Sequence, residues 1–295
     1  MIEEIRVADP GDGPYGITVG PDGALWFTLV HAGRIGRLAV TGEGDPALTS
    51  YPLDSADCGP SVITTGPDGA LWFTRSRDDR IGRITVAGEA SAFPLPSGTA
   101  PFGIAVGPDD ALWFTGMSSD TIGRLTVDGE LTTFPVPAAG GFPSMITAGP
   151  DGALWFTLNR ANAIGRIEVG GAVALHPLPT PDAAPVGVTR GADALWFVEI
   201  GAGQVGRITP DGTVTEFPLP DRAARPHAIV ADPAGGCWLT EWAANRLAHV
   251  DPAGRIEEYP LPTPDAEPHG LAVTGAGTVW VALETGALAH LRPTR

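Results

Sequence analysis

One phrase recurs through this chain at a nearly fixed interval, and any fold must use it seven times. It runs P-x-G-I-x-x-G-P-D-G-A-L-W-F-T, then I-G-R-I/L, then a stretch ending F-P-L-P. Its tryptophan falls at Trp26, Trp72, Trp113, Trp155, Trp196, Trp238 and Trp280, spacings of 46, 41, 42, 41, 42 and 42 residues, with only Trp242 out of register. About 42 residues is the size of four short strands, the blade of a β-propeller. The fourth copy shows the pattern, with strands over Ser144–Ala148, Ala153–Thr157, Ile164–Val169 and Val173–Leu178 and a tight turn at Gly149–Gly152. In that turn Pro fixes one φ and Gly permits a positive one. No copy carries a helical period, so almost no helix is expected. The repeated Trp-Phe pair reads as the packing between neighbouring blades.

The ends predict how the ring closes. The seventh copy stops after Leu288-Ala-His-Leu, without a fourth strand. Residues 2–7, Ile-Glu-Glu-Ile-Arg-Val, match the fourth-strand phrases beginning at Ile256 and Val214. The N-terminus should therefore supply the missing outer strand and remove an exposed edge. The expected fold is all-β: a single seven-bladed β-propeller of four-stranded blades over residues 1–295, replacing the two domains that length alone suggests.

Composition narrows the function. Gly 40 plus Pro 30 would suit disorder in a patternless chain, but the repeat and 43% hydrophobic residues exclude it. The formal charge is -16, from 34 acids against 18 bases, all of them Arg. Such a chain repels phosphate backbones, so nucleic acid is not an expected partner. No apolar run approaches the roughly 20 residues of a spanning helix, so no membrane is expected either. The first ten residues lack the basic-then-apolar pattern of a signal peptide. Cys58 and Cys237, 179 positions apart, read as reduced thiols in a cytoplasmic protein.

Breaks in the repeat point to a site. The residue after the Pro that opens the innermost strand is Tyr15, Ser61, Phe102, Ser144, Val186, His227 and His269 through the seven copies. These positions should ring one mouth of the central channel, with His227, His269 and Tyr15 clustered at the closure. The third residue after each Trp lies beside that ring and includes Glu199 and Glu241, which are possible substrate-facing acids. In copy seven the connection after the second strand is one residue short, with Glu284 at its corner. Hairpin geometry sets Glu284 nearly opposite His269, and Glu267 lies on the incoming loop. Two carboxylates around a neutral His suit a hard divalent cation, usually Mg²⁺, with the His as general base. The alternative is two solvated loop acids and a hydrogen-bonded filler. His249 and His290 replace the repeated Arg and read as structural, as do Arg37 and Arg166 as anchors of blade contacts. His31 and His176 fall outside the mouth set.

The whole chain resembles the virginiamycin B lyases, also called streptogramin B lyases. The resemblance spans all seven copies, and its most specific parts are Arg225-Pro-His, Glu267-Pro-His-Gly and Ala282-Leu-Glu-Thr-Gly. It implies that His269 is the proton acceptor, that Glu267 and Glu284 bind Mg²⁺, and that His227 contacts substrate. Tyr15, with Phe102 and Val186, would add an apolar wall at the mouth. The implied reaction opens type B streptogramins, cyclic depsipeptides closed by a threonyl ester, by elimination and so confers antibiotic resistance. That chemistry needs a base and an electrophile but no nucleophile, and no G-x-S-x-G elbow is present. A monomer is expected. The competing classes are a non-catalytic propeller that binds a peptide or protein, and a metal-dependent hydrolase such as a lactonase.

Overall fold

The computed structural model describes residues 1–40 and 46–293. Among them there is no helix; the strands form seven four-stranded antiparallel sheets. The sheets are the blades of a seven-bladed β-propeller, each running A to D from the central channel outward. Blade 1 is made of Pro14–Val19, Leu25–Leu29, Arg34–Ala39 and Ala47–Pro52. The fourth copy matches its expected strands closely, at Pro143–Ala148, Leu154–Leu158, Ala163–Ile167 and Val173–Pro177.

The repeat phrase forms blades for identifiable reasons. Strand B is buried along its whole length, and its Trp stacks on an aromatic ring of strand D in the same blade, as in Trp26 on Tyr51 and Trp72 on Phe93. The Asp of the preceding turn accepts from Trp26 Nε1 at 3.0 Å through one carboxylate oxygen and from Arg37 Nε at 2.7 Å through the other. Asp68, Asp109 and Asp151 repeat this latch. Arg37 and Arg166 therefore anchor contacts inside their own blades, not between blades. The Gly of I-G-R leaves room for the strand B Phe: a Cβ on Gly36 would lie 2.1 Å from the Phe27 ring. Where blades meet, the strand B Thr stitches them. Thr28 Oγ1 accepts from Gly16 N at 2.8 Å and donates to Ser61 O of blade 2 at 2.7 Å. Thr74, Thr115 and Thr157 donate to the next blade in the same way.

Closure follows the sequence expectation. Ile2–Arg6 pairs antiparallel with Ala287–Leu291, so blade 7 takes its outer strand from the N-terminus. Val7 then copies the Leu that follows strand D elsewhere: Val7 N donates to Gly286 O at 3.0 Å, as Leu53 N donates to Gly33 O at 3.0 Å. Closing the ring this way leaves blade 7 without a turn between strands C and D. In blades 2 to 6 the Gly of that turn covers the preceding blade's aromatic ring, as Gly254 covers Phe217. Among the described residues no glycine covers Tyr259 of blade 6 in this way, and a cleft of about 1090 Å³ opens beside Tyr259, Trp238 and Arg292.

Removing residues 1–8 should expose the edge of Ala287–Leu291 and take the buried Val7 out of the core it shares with Ala282 and Leu288. Losing several kcal/mol at about 2–4 °C each predicts a fall in Tm of roughly 10 °C. Calorimetry of the truncated protein checks this, and an unchanged Tm would refute the closure argument.

Candidate functional site

The site grows from backbone geometry at one mouth of the channel. The residue before each strand A proline is in the left-handed region in every blade. Gly occupies it in blades 1 and 2 (Gly13, Gly59), then come Ala100, Phe142, Ala184, Arg225 and Glu267. Non-Gly residues are uncommon there. The bend points these positions at the mouth, and in blade 7 it presents the exposed Glu267. In six of the seven blades, all but blade 5, the fourth residue after the Trp closes the same corner through its amide: Val30 N donates to Gly13 O at 2.9 Å, Trp242 N to Arg225 O at 3.2 Å and Glu284 N to Glu267 O at 3.3 Å. Glu284 thus holds a rim position shared by every blade, and it meets His269 because strands A and B of blade 7 pair at Pro268 and Leu283.

The structure brings Glu267, His269 and Glu284 together. One ligand atom from each lies within 4.8 Å of the others. His269 is buried, and its Nε2 sits 2.5 Å from Glu284 Oε2. The hydrogen bond from His269 holds the Glu284 carboxyl down at about 2 against the opposing effect of burial, with His31 adding to it. Glu284 is therefore the acceptor, His269 carries its proton on Nε2, and its lone pair is on Nδ1, a buried atom with no hydrogen-bond partner.

Tyr15 and His227 complete the cluster. The Tyr15 ring lies 4.5 Å from that of His269 and 6.0 Å from that of His227, centroid to centroid, and the two imidazoles are 5.2 Å apart, edge to face. Burial, with His269 beside it, pushes His227 down to about 3 although Glu284 opposes the shift. Burial, then the Glu284 charge, raises the Tyr15 phenol above its ordinary value. Both rings therefore stay neutral at working pH. Tyr15, Phe102, Val186 and His227 line a cavity of about 180 Å³ that continues down the channel past Ile104 and Leu271.

Two expectations are corrected. Glu199 and Glu241 do not face the mouth; both are fully buried. The third residue after Trp points into the blade, and only the fourth reaches the rim. Glu199 accepts from Gln204 Nε2 at 2.6 Å, and Glu241 Oε2 lies 3.0 Å from Arg246 Nε as a charge contact off the hydrogen-bond direction. Burial raises each carboxyl to about 7, helped by Glu216 and Glu258 respectively and opposed by Gln204 and Arg246. His31 is the second correction, since it belongs to the site: its Nε2 lies 2.7 Å from Glu284 Oε1, across 253 residues of chain. Its position, one residue beyond the rim in the blade that adjoins blade 7, was the available signal. His249 is structural as expected, packed against Trp238, and His176, outside the mouth as expected, stacks on Trp155. His290 lies beside Glu3 of the closing strand at 3.6 Å.

A seven-bladed propeller with an acid-and-imidazole cluster at one mouth defines a class of protein, and its relatives narrow that class. The family described as "Virginiamycin B lyase family" matches residues 1–291. The chain belongs to that family. It is 61% identical to the virginiamycin B lyase of Saccharopolyspora erythraea over 54 residues, a segment that spans only 18% of this chain and 17% of that relative. The virginiamycin B lyase from Staphylococcus aureus superposes with a TM-score of 0.95 at 42% identity, covering 100% of this chain and 99% of the other. A catalytically inactive histidine-to-alanine variant of the Staphylococcus aureus protein, solved with quinupristin, gives 0.94 at 41% identity over the same 100% and 99%.

The raised Glu199 carboxyl makes a stability prediction. A carboxyl whose folded pKa exceeds its unfolded value contributes stability below the unfolded value and loses it as pH rises through the folded one. The window runs from the ordinary 4.5 to about 7. Glu199→Gln should therefore raise Tm at pH 8 and change it little at pH 4, as measured by thermal unfolding at both. A lower Tm at pH 8 than at pH 4, relative to wild type, would contradict the assignment.

Proposed function

We propose that this protein is a Mg²⁺-dependent lyase that linearises type B streptogramins by elimination at the threonyl ester, and so gives resistance to them. The observation that carries the proposal is the pairing of His269 with Glu284 beside Glu267 at one mouth of the central channel. Membership of the family and the likeness to a protein solved with quinupristin support the substrate class.

The residues fit a hard divalent cation. Glu267 and Glu284 offer carboxylate oxygens, the preferred donors for Mg²⁺, and Glu284 has lone pairs to spare after its two hydrogen bonds. When bound, the cation supplies positive charge for the oxygen that becomes an enolate. The chain's own groups do the rest. His269 takes the threonine α-proton while Glu284 steadies the imidazolium that results. The α-carbon's electron pair forms the Cα=Cβ bond and the β-carboxylate leaves. His227, kept neutral, offers a hydrogen bond to substrate from a fixed ring, and Tyr15 and Phe102 form an apolar edge. A cavity of about 180 Å³ is smaller than the roughly 300–1,000 Å³ of a site that engulfs its ligand. The macrocycle therefore rests on the mouth and inserts one group.

The acidic surface suits a soluble cytoplasmic protein acting on a small molecule, without nucleic acid or membrane as partner. Each ring closes with its own N-terminal strand, which supports a monomer.

His269→Ala should lower turnover of a type B streptogramin by at least about 10³-fold with an unchanged Tm, because the variant loses the base and keeps the blades. Near wild-type turnover would dismiss this base. Glu267→Gln and Glu284→Gln should each weaken Mg²⁺ binding in calorimetry, an amide being a poorer ligand than a carboxylate. Unaltered affinity in both would remove them as ligands. Mass spectrometry separates elimination from hydrolysis. The lyase product has the mass of the cyclic substrate and new ultraviolet absorbance, whereas a product one water heavier would identify a hydrolase. A protein that binds the antibiotic and leaves it intact would be a binding module.

A further inference from the structure

The chemistry described above makes no use of one well-built feature, the pair of side chains that blades 1 and 2 send to the far side of Glu284. His31 Nε2 lies 2.7 Å from Glu284 Oε1, and Arg77 Nη2 lies 3.3 Å from His31 Nδ1. The chain of contacts runs Arg77, His31, Glu284, His269 and so crosses blades 2, 1 and 7.

The fold makes room for it. At the left-handed position before the strand A proline, blades 3 to 7 carry side chains and blades 1 and 2 carry Gly13 and Gly59. A Cβ on Gly13 would lie 2.6 Å from His31 Cδ2, and one on Gly59 would lie 2.8 Å from Arg77 Cγ. The imidazole and the arginine stem therefore rest on bare backbone, and this seating holds two otherwise exposed side chains in place.

The chemistry fixes the proton. Arginine has donors only, so His31 Nδ1 must accept from Arg77. The His31 proton is then on Nε2, which donates to Glu284 Oε1. The opposite tautomer would set two N–H groups against each other. Glu284 thus receives one hydrogen bond on each oxygen, from His31 on Oε1 and from His269 on Oε2. A carboxylate held at both oxygens cannot rotate about its last torsion.

We infer that His31, fixed in its Nε2–H tautomer by Arg77, is a positioning residue that orients the Glu284 carboxylate toward His269 and Glu267. The inference rests on the lyase reading for its catalytic consequence, but not for its geometry. The device is distinct from the base and the proposed ligands, since His31 acts on Glu284 alone and from the side away from His269.

Four proteins test it: wild type, His31→Ala, His31→Gln and Arg77→Ala. Long-range ¹H–¹⁵N spectra should show His31 as the Nε2–H tautomer in wild type and as a mixture in Arg77→Ala. Calorimetry with Mg²⁺ alone should show affinity about tenfold weaker in His31→Ala and largely restored in His31→Gln, whose amide N–H can reach the same oxygen. With a type B streptogramin, kcat should fall about tenfold or more in His31→Ala while KM stays within about twofold. An Nδ1–H tautomer in wild type, or wild-type Mg²⁺ affinity and kcat in His31→Ala, would overturn the inference. A wild type that binds Mg²⁺ and leaves the antibiotic intact would sink the lyase reading, and the tautomer and affinity results would then decide the positioning role alone. If wild type takes up no Mg²⁺, the metal reading falls as well, and the tautomer arm decides.

Discussion

Two backbone hydrogen bonds on one carbonyl hold this molecule's ring and its site together. Val7 N and Ala8 N both donate to Gly286 O, at 3.0 and 3.1 Å. Gly286 ends the three-residue turn that begins with Glu284, between strands B and C of blade 7. The N-terminal strand therefore closes the propeller on the turn that carries the central carboxylate. Thr28 does a related service one blade away. Its hydroxyl joins strand A of blade 1 to that of blade 2, and so keeps the blade carrying His31 at a fixed distance from the blade carrying Arg77. A loose seam would leave the sheets intact and let Glu284 drift from His31 and His269.

This dependence explains why the reactive groups crowd the closure. Each blade offers two mouth positions per hairpin, one at the start of strand A and one at the corner after strand B. In blades 2 to 5 these carry Ser, Phe, Val, Met, Asn and Ile, none of which can exchange a proton near neutral pH. Blades 6, 7 and 1 carry His227, His269, Glu284 and Tyr15. A seam whose two sides lie at opposite ends of the sequence sets elements with independent sequences against each other, yet hydrogen bonding makes it as rigid as any other blade.

The fold was legible because its information is periodic. Trp spacing counts blades, the Asp-Trp-Arg latch restates the spacing within blades 1 to 4, and Ile2–Arg6 announces itself by matching Ile256–Pro260. The meeting of His269 with Glu284 was legible because hairpin pairing is local. What escaped depends on directions that a register does not carry. Glu199 and Glu241 stand one residue short of the rim, and alternation along a strand turns them into the blade, where Gln204 and Arg246 meet them. His31 lies one residue past the rim, and its contact with Glu284 needs both the ring order and the bare backbone of Gly13. Neither appears when one repeat is laid on another.

Charge decides what such a mouth will admit. Glu267 and Glu284 place two acidic side chains against one another with no arginine between them, whereas the latch carboxylates such as Asp22 and Asp68 each have their own. Burial keeps His227 neutral, so it does not neutralise the cluster either. The mouth is thus short of positive charge at one point, next to an imidazole whose lone pair is turned from its carboxylate partner. A divalent cation would restore that balance, and on the proposed lyase reading it would sit where an anion develops on the substrate. The same deficit repels anionic ligands. Uncharged or cationic macrocycles with apolar side chains are the chemistry that this combination of charge, rings and narrow channel favours.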